Sequence, residues 1–350
     1  MLTEQAILRL QSLMDHLETN KNDLVIDGDT HPTDIGDLEG DIRKLYRDMP
    51  GYYHGRPISQ KELLASMNAS GIDMSLIWQN PSAFQYTADK NENFDKLLSA
   101  NKKIAQFASD YPIKFIPAGW TDPKSLGATG AKRMVDILVG ELGFPIVKMN
   151  PAQNAYPIDS PDVFEVLDTI TSRGATPAFH FGGDSPYTSA RGLDRILFRF
   201  PNTTIIGVHM GGGGSHYVEG DKTYLEAREL GLKRPNLFYI LSAKRDAHIE
   251  SDLIVYTQRG KPFCDNIAWG SDAPYGVQSW NLGGFTKLFE TLTKRQHQIS
   301  TYENNSVFNS QTRQNYLGRN LANVVIAACR NVLSRAAKPE AFNRSRNSLL

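Results

Sequence analysis

The stretch that decides the fold is Leu24-Val25-Ile26-Asp27-Gly28-Asp29-Thr30-His31. Three apolar residues run into Asp, Asp and His at alternate positions 27, 29 and 31. In an extended chain, residues two apart point the same way, so three ionisable groups share one face at the end of a buried strand. The rest of the chain decides whether this is a functional edge or a polar turn.

Beyond that strand, helical and apolar segments alternate. Helix-patterned segments precede the apolar runs at 74–78, 114–120, 145–149, 176–181, 203–210, 236–241 and 266–272. With the first strand this makes eight short strands separated by helices, the pattern of parallel strands joined by right-handed crossovers. Eight such units predict a (β/α)8 TIM barrel. A doubly wound open sheet is the competitor, but it would offer G-x-G-x-x-G after its first strand, and "DGDTHPTD" does not. An amphipathic helix over residues 1–23, with Ile7, Leu10, Leu13, Met14 and Leu17 at helical spacing, is expected as an added lid or packing element. The barrel should occupy 24–335 with a C-terminal helical extension, leaving 336–350 as a polar tail.

Composition excludes several classes. The 350 residues carry 38 basic and 38 acidic side chains with no like-charged block, which gives no footing for nucleic acid. No stretch approaches the roughly 20 apolar residues that cross a bilayer, and the N-terminus lacks a signal-peptide pattern. Two cysteines, Cys264 and Cys329, are too few for a disulfide framework, so a cytoplasmic location is expected. A homodimer is the base-rate expectation for a soluble enzyme.

In a barrel the active site lies where strands end and βα loops begin. Strand one ends in Asp27, Asp29 and His31, and strand four contains Lys148. Strands five, six, seven and eight end in His180, His209, Ser242 and Asp272. Imidazoles and carboxylates converging on one mouth suit a borderline or hard divalent ion.

The motifs "IDGDTH", "AFHFGG", "GVHMGG" and "GSDAPYG", in that order, resemble the amidohydrolase-2 branch of the amidohydrolase superfamily. That branch includes aminocarboxymuconate-semialdehyde decarboxylase and 2-pyrone-4,6-dicarboxylate lactonase. The resemblance spans about residues 24–325 and implies a distorted barrel with one divalent metal ion, Zn2+ or Mn2+. By position it makes Asp29, His31, His180 and Asp272 the ligands, and His209 an acid/base or substrate-polarising group beside Asp272. The departure is Asp29, where many relatives carry His. A second carboxylate donates more negative charge, weakens the ion as a Lewis acid and favours a harder metal.

The remaining candidates are weaker. Asp27 is expected deeper, in a structural or supporting role. Lys148 reads as a substrate-carboxylate contact or a structural lysine, with a carbamylated bridging role disfavoured. His54, Arg56, Trp120 and His216 are candidate substrate contacts, and Tyr52, Tyr53, Trp78 and Trp280 are further aromatics near the mouth. Three functions stay open for a small-molecule substrate. The first is a metal-dependent hydrolase of a lactone, ester or amide, ranked first because no arginine falls at a strand end. The second is a non-oxidative decarboxylase of an aromatic or unsaturated acid, and the third an inactive ligand-binding relative.

Overall fold

A computed structural model describes residues 2–48, 57–182, 186–212, 222–243, 246–275, 286–295 and 308–337. Eight parallel strands succeed one another in sequence order around a single sheet. They are β1 (Ile26–Thr30), β2 (Met74–Ile77), β3 (Phe115–Trp120), β4 (Ile146–Met149), β5 (Thr176–His180), β6 (Ile205–Val208), β7 (Leu237–Leu241) and β8 (Ile267–Trp269). The chain is a (β/α)8 TIM barrel. Nearly every strand residue is buried, as expected where a sheet is covered on one face by helices and filled on the other by its own side chains.

The helices begin and end on recognisable signals. Ser59 and Glu62 form a reciprocal capping box for the helix Gln60–Ser70, which Gly71 closes in a left-handed conformation. Asp89 and Asp122 cap the helices Lys90–Asp110 and Pro123–Gly140. Among the described residues, no helix is long and apolar enough to cross a membrane.

The N-terminal helix, Glu4–Asn20, buries Ala6, Leu10, Leu13 and Leu17. It packs on the C-terminal helix Asn320–Ala336. Its Arg9 reaches Ser109 and the carbonyl of Leu142, in segments that lead into β3 and β4. Those segments lie at the end opposite the mouth, so this helix is a packing element and not a lid. Ile7 and Met14, expected on its buried face, are half-buried, because Ala6 takes the deeper position.

The barrel closes between β1 and β8 at a seam that also builds the site. Thr30 bridges Ala273, the His31 amide donates to the Ala273 carbonyl at 2.8 Å, and the Asp272 amide donates to the Asp29 carbonyl at 2.8 Å. Such close approach needs Gly28, where an added Cβ would lie 2.8 Å from the Trp269 carbonyl oxygen. Against β2, three steps of β1 from Asp27 to Thr30 face two steps from Ser75 to Ile77. That extra residue is a bulge, a device that bends a strand and re-aims its side chains.

Candidate metal centre

Asp29, His31 and Asp272 meet at this seam. Each offers a ligand atom, and these atoms lie within 4.8 Å of one another in a buried group that could hold one metal ion. His31 Nε2 stands 3.5 Å from Asp29 Oδ1 and 3.5 Å from Asp272 Oδ1. On its other side His31 Nδ1 donates to the Gln79 carbonyl at 2.9 Å. That bond fixes the neutral ring in the tautomer whose Nε2 lone pair faces the two carboxylates, as in the supported histidines of metal sites. Tyr275 sets its ring edge-on to His31 at 5.5 Å, and its hydroxyl donates to the Asn80 side chain.

Asp29 is fully buried, and its Oδ1 makes no hydrogen bond. An orphaned buried carboxylate oxygen facing an imidazole lone pair and a second carboxylate is what a divalent cation would satisfy. Two carboxylates and one imidazole suit Mn2+ and tolerate Zn2+. Burial opposes ionisation of Asp29, but the Lys148 ammonium, with His31 and His209 beside it, holds its carboxyl well below the usual range. Burial likewise disfavours the charged form of His31, yet Asp272 and Asp29 prevail and raise its pKa. A proton on His31 Nε2 and a metal ion are therefore competitors for the same three atoms.

Lys148 lies within β4 and is 1% exposed. Its Nζ is 3.6 Å from Asp29 Oδ1 and sits over the Trp78 and Trp120 rings at 4.6 and 5.1 Å. Two indole faces and a carboxylate together compensate the cost of burying an ammonium. Trp120 is held at the end of β3 by Asn101, which accepts from its amide at 2.8 Å and donates to its carbonyl at 3.0 Å.

His180 and His209 form a second group. His209 Nε2 faces His180 Nδ1 at 3.1 Å, and His209 Nδ1 faces Ser242 Oγ at 2.8 Å. Ser242 in turn donates to Asp29 Oδ2 at 2.6 Å. Burial lowers the pKa of both histidines, His180 well below the ordinary range, which favours the uncharged form of each ring. Of the four ligands expected from sequence, the structure brings three together. His180 stands outside that group, and its Nδ1 is turned to His209. His209 spends both ring nitrogens inside the protein, on His180 and Ser242.

Asp27 is buried behind the cluster, where its Oδ1 accepts from the Asp29 amide at 3.2 Å and the Ser271 amide at 2.8 Å. Burial pushes its pKa up to about 7 despite these bonds. Three strands leave the barrel through left-handed backbone at non-glycine residues: His209 (φ 77°), Met210 (φ 46°), Ala243 (φ 49°) and Asp272 (φ 58°). Such conformations are costly and concentrate where side chains are aimed for function. His54, Arg56, His216 and Trp280, with Tyr52 and Tyr53, lie outside the described residues. Sequence reasoning gave no role to Gln79, Asn80 or Tyr275. The "GSDAPYG" motif contains Tyr275, but Gln79 acts through its carbonyl, which any residue supplies.

Barrel, seam and buried Asp-His-Asp group define a metal-site TIM barrel of the amidohydrolase type. The amidohydrolase family profile matches residues 26–309, and the chain belongs to that family, in its amidohydrolase-2 branch. No curated protein matches the chain. Among solved structures, it is similar to a TIM-barrel protein from Bordetella bronchiseptica at 19% identity, covering 90% of this chain and 99% of that one (TM-score 0.60). It is similar to 5-carboxyvanillate decarboxylase from Sphingomonas paucimobilis at 18% identity, covering 86% and 98% (TM-score 0.61). A dihydroxybenzoic acid decarboxylase from Polaromonas, solved with manganese and the inhibitor 2-nitroresorcinol, is 16% identical over 86% and 96% (TM-score 0.57).

Proposed function

We propose that this chain is a metal-dependent, non-oxidative decarboxylase of an aromatic or unsaturated carboxylic acid. It would hold one divalent ion, Mn2+ or Zn2+, on Asp29, His31 and Asp272. The observation that carries the reading is Lys148, whose buried ammonium stands 3.6 Å from Asp29 Oδ1 between two indole faces. The sequence ranks hydrolysis first because no arginine falls at a strand end to hold a substrate carboxylate. Lys148, within β4, would be that cation, and its approach to Asp29 Oδ1 supports the reading. The decarboxylases among the similar structures support the same order.

When bound, the ion would supply the positive charge that neutralises a chelating carboxylate and neighbouring hydroxyl. The chain's own groups do the rest. Lys148 would pair electrostatically with the substrate's anionic end, and the Trp78 and Trp120 rings packed over its ammonium hold it in place. Asp272, at 8% exposure the most accessible of the three clustered groups, would take up the proton that the substrate hydroxyl releases and pass it to the ring carbon that bears the carboxylate. The carbon–carbon bond then breaks, its electron pair returns to the ring, and carbon dioxide leaves.

The test is product analysis with Mn2+ and a panel of hydroxybenzoates and related aryl acids. Carbon dioxide matched to loss of the acid, abolished by chelation, is the expected result. Ring opening or ester cleavage without carbon loss would establish hydrolysis instead. Asp272 could serve that reaction as a base activating water, so the hydrolase is the second reading.

A further inference from the structure

Ser242 ends β7 and sits between the Asp29 carboxylate and the histidine pair. Its hydroxyl has one proton, which it donates to Asp29 Oδ2 2.6 Å away. Ser242 Oγ must then accept from His209 Nδ1, 2.8 Å away, so that nitrogen carries the N–H. The two ring nitrogens 3.1 Å apart share one N–H, and with the His209 ring proton on Nδ1 its Nε2 is the bare acceptor and His180 Nδ1 the donor. His180 is then left with a bare Nε2. That nitrogen faces Gly182, where an added Cβ would lie only 2.8 Å from it and 3.2 Å from the Gly212 carbonyl. Gly182 and Gly212 come after β5 and β6 on the mouth side of the barrel.

We propose that Ser242 is a positioning residue. It fixes the tautomers of His209 and His180 through one chain of hydrogen bonds, turns a bare His180 Nε2 toward the mouth, and leaves Asp29 Oδ1 free for the metal ion. Each donor in the chain has one acceptor, so direction runs unbroken from His180 through His209 and Ser242 to Asp29. The part concerning Asp29 rests on its reading as a ligand under the proposed function. The tautomer part does not.

The experiment is 15N NMR of histidine-labelled, metal-free full-length protein at pH 8, where the ring-nitrogen shifts separate protonated from bare nitrogens. His180→Gln and His209→Gln variants assign the two rings. The expected result is the Nδ1–H tautomer at both, against the Nε2–H form that free histidine prefers. Ser242→Ala should release both rings from that state, and Ser242→Thr should restore it. In parallel, Mn2+ affinity should fall about 10- to 100-fold in Ser242→Ala and recover in Ser242→Thr. Nε2–H tautomers in the wild type would overturn the proposal, and that measurement needs no variant of Ser242 to fold. Tautomers or Mn2+ affinity unmoved by Ser242→Ala would overturn it equally. If the wild type shows the expected tautomers but binds no Mn2+, the metal reading fails while the tautomer relay stands.

Discussion

Replacing Lys148 with methionine keeps the volume and the indole contacts of the side chain but removes its charge. At 3.6 Å from Asp29 Oδ1, and with an effective dielectric of about 20, the lost attraction is about 4–5 kcal/mol. Stripping one partner from a buried pair generally costs roughly 3–5 kcal/mol, because the other charge stays buried without compensation. The metal-free Lys148→Met protein should therefore be less stable than the wild type by about 3–5 kcal/mol. With Mn2+ bound, the ion compensates Asp29 in place of the ammonium and most of that deficit should disappear. By the thermodynamic cycle, the folded variant binds Mn2+ more tightly by about 2–4 kcal/mol, roughly 30- to 1,000-fold in Kd. Denaturant unfolding with and without chelator, together with Mn2+ titration, reads both quantities. A deficit equal in the two metal states, or a chelated variant as stable as the wild type, would refute the reasoning.

The other predictions concern the seam and its protons. His31 has a pKa raised above its usual 6.5, so its added proton stabilises the metal-free fold below that range and the effect is lost as pH rises through the raised value. Mn2+ must displace the same proton, so affinity should fall about tenfold per pH unit below that value and level off above it. An affinity independent of pH from 5 to 8 would exclude His31 as a ligand. Asp272→Asn should cut turnover by roughly 10^2- to 10^4-fold while unfolding like the wild type; an active variant would remove Asp272 from the chemistry. Gly28→Ala should destabilise the protein by about 1–3 kcal/mol, since the new Cβ meets the Trp269 carbonyl across the β1–β8 seam. Wild-type stability in that variant would show that the strands can part without cost.

The barrel was legible because its strands are buried runs bounded by helical pattern, and burial is written in residue type. Asp29, His31 and Asp272 were legible because barrel topology makes every strand end a candidate for the mouth, and these residue types bind metal ions. The ring orientation of His180 was not, because a one-dimensional pattern does not say which nitrogen faces which neighbour. Ser242 carried even less signal, since a lone serine after a strand is ordinary, and its meaning comes from Asp29 and His209 converging on it across the barrel. The pairing of Lys148 with Trp78 and Trp120 likewise depends on register between neighbouring strands. The β1 bulge was hidden too, although alternation alone was enough to place Asp29 and His31 at one edge.

The most direct measurement is calorimetric titration of Mn2+ into chelator-treated wild-type protein and its Asp29→Asn variant. One site per chain in the wild type, lost or greatly weakened in a folded Asp29→Asn protein, is the predicted result. No binding to the wild type, or equal binding by the two proteins, would contradict a metal centre built on Asp29.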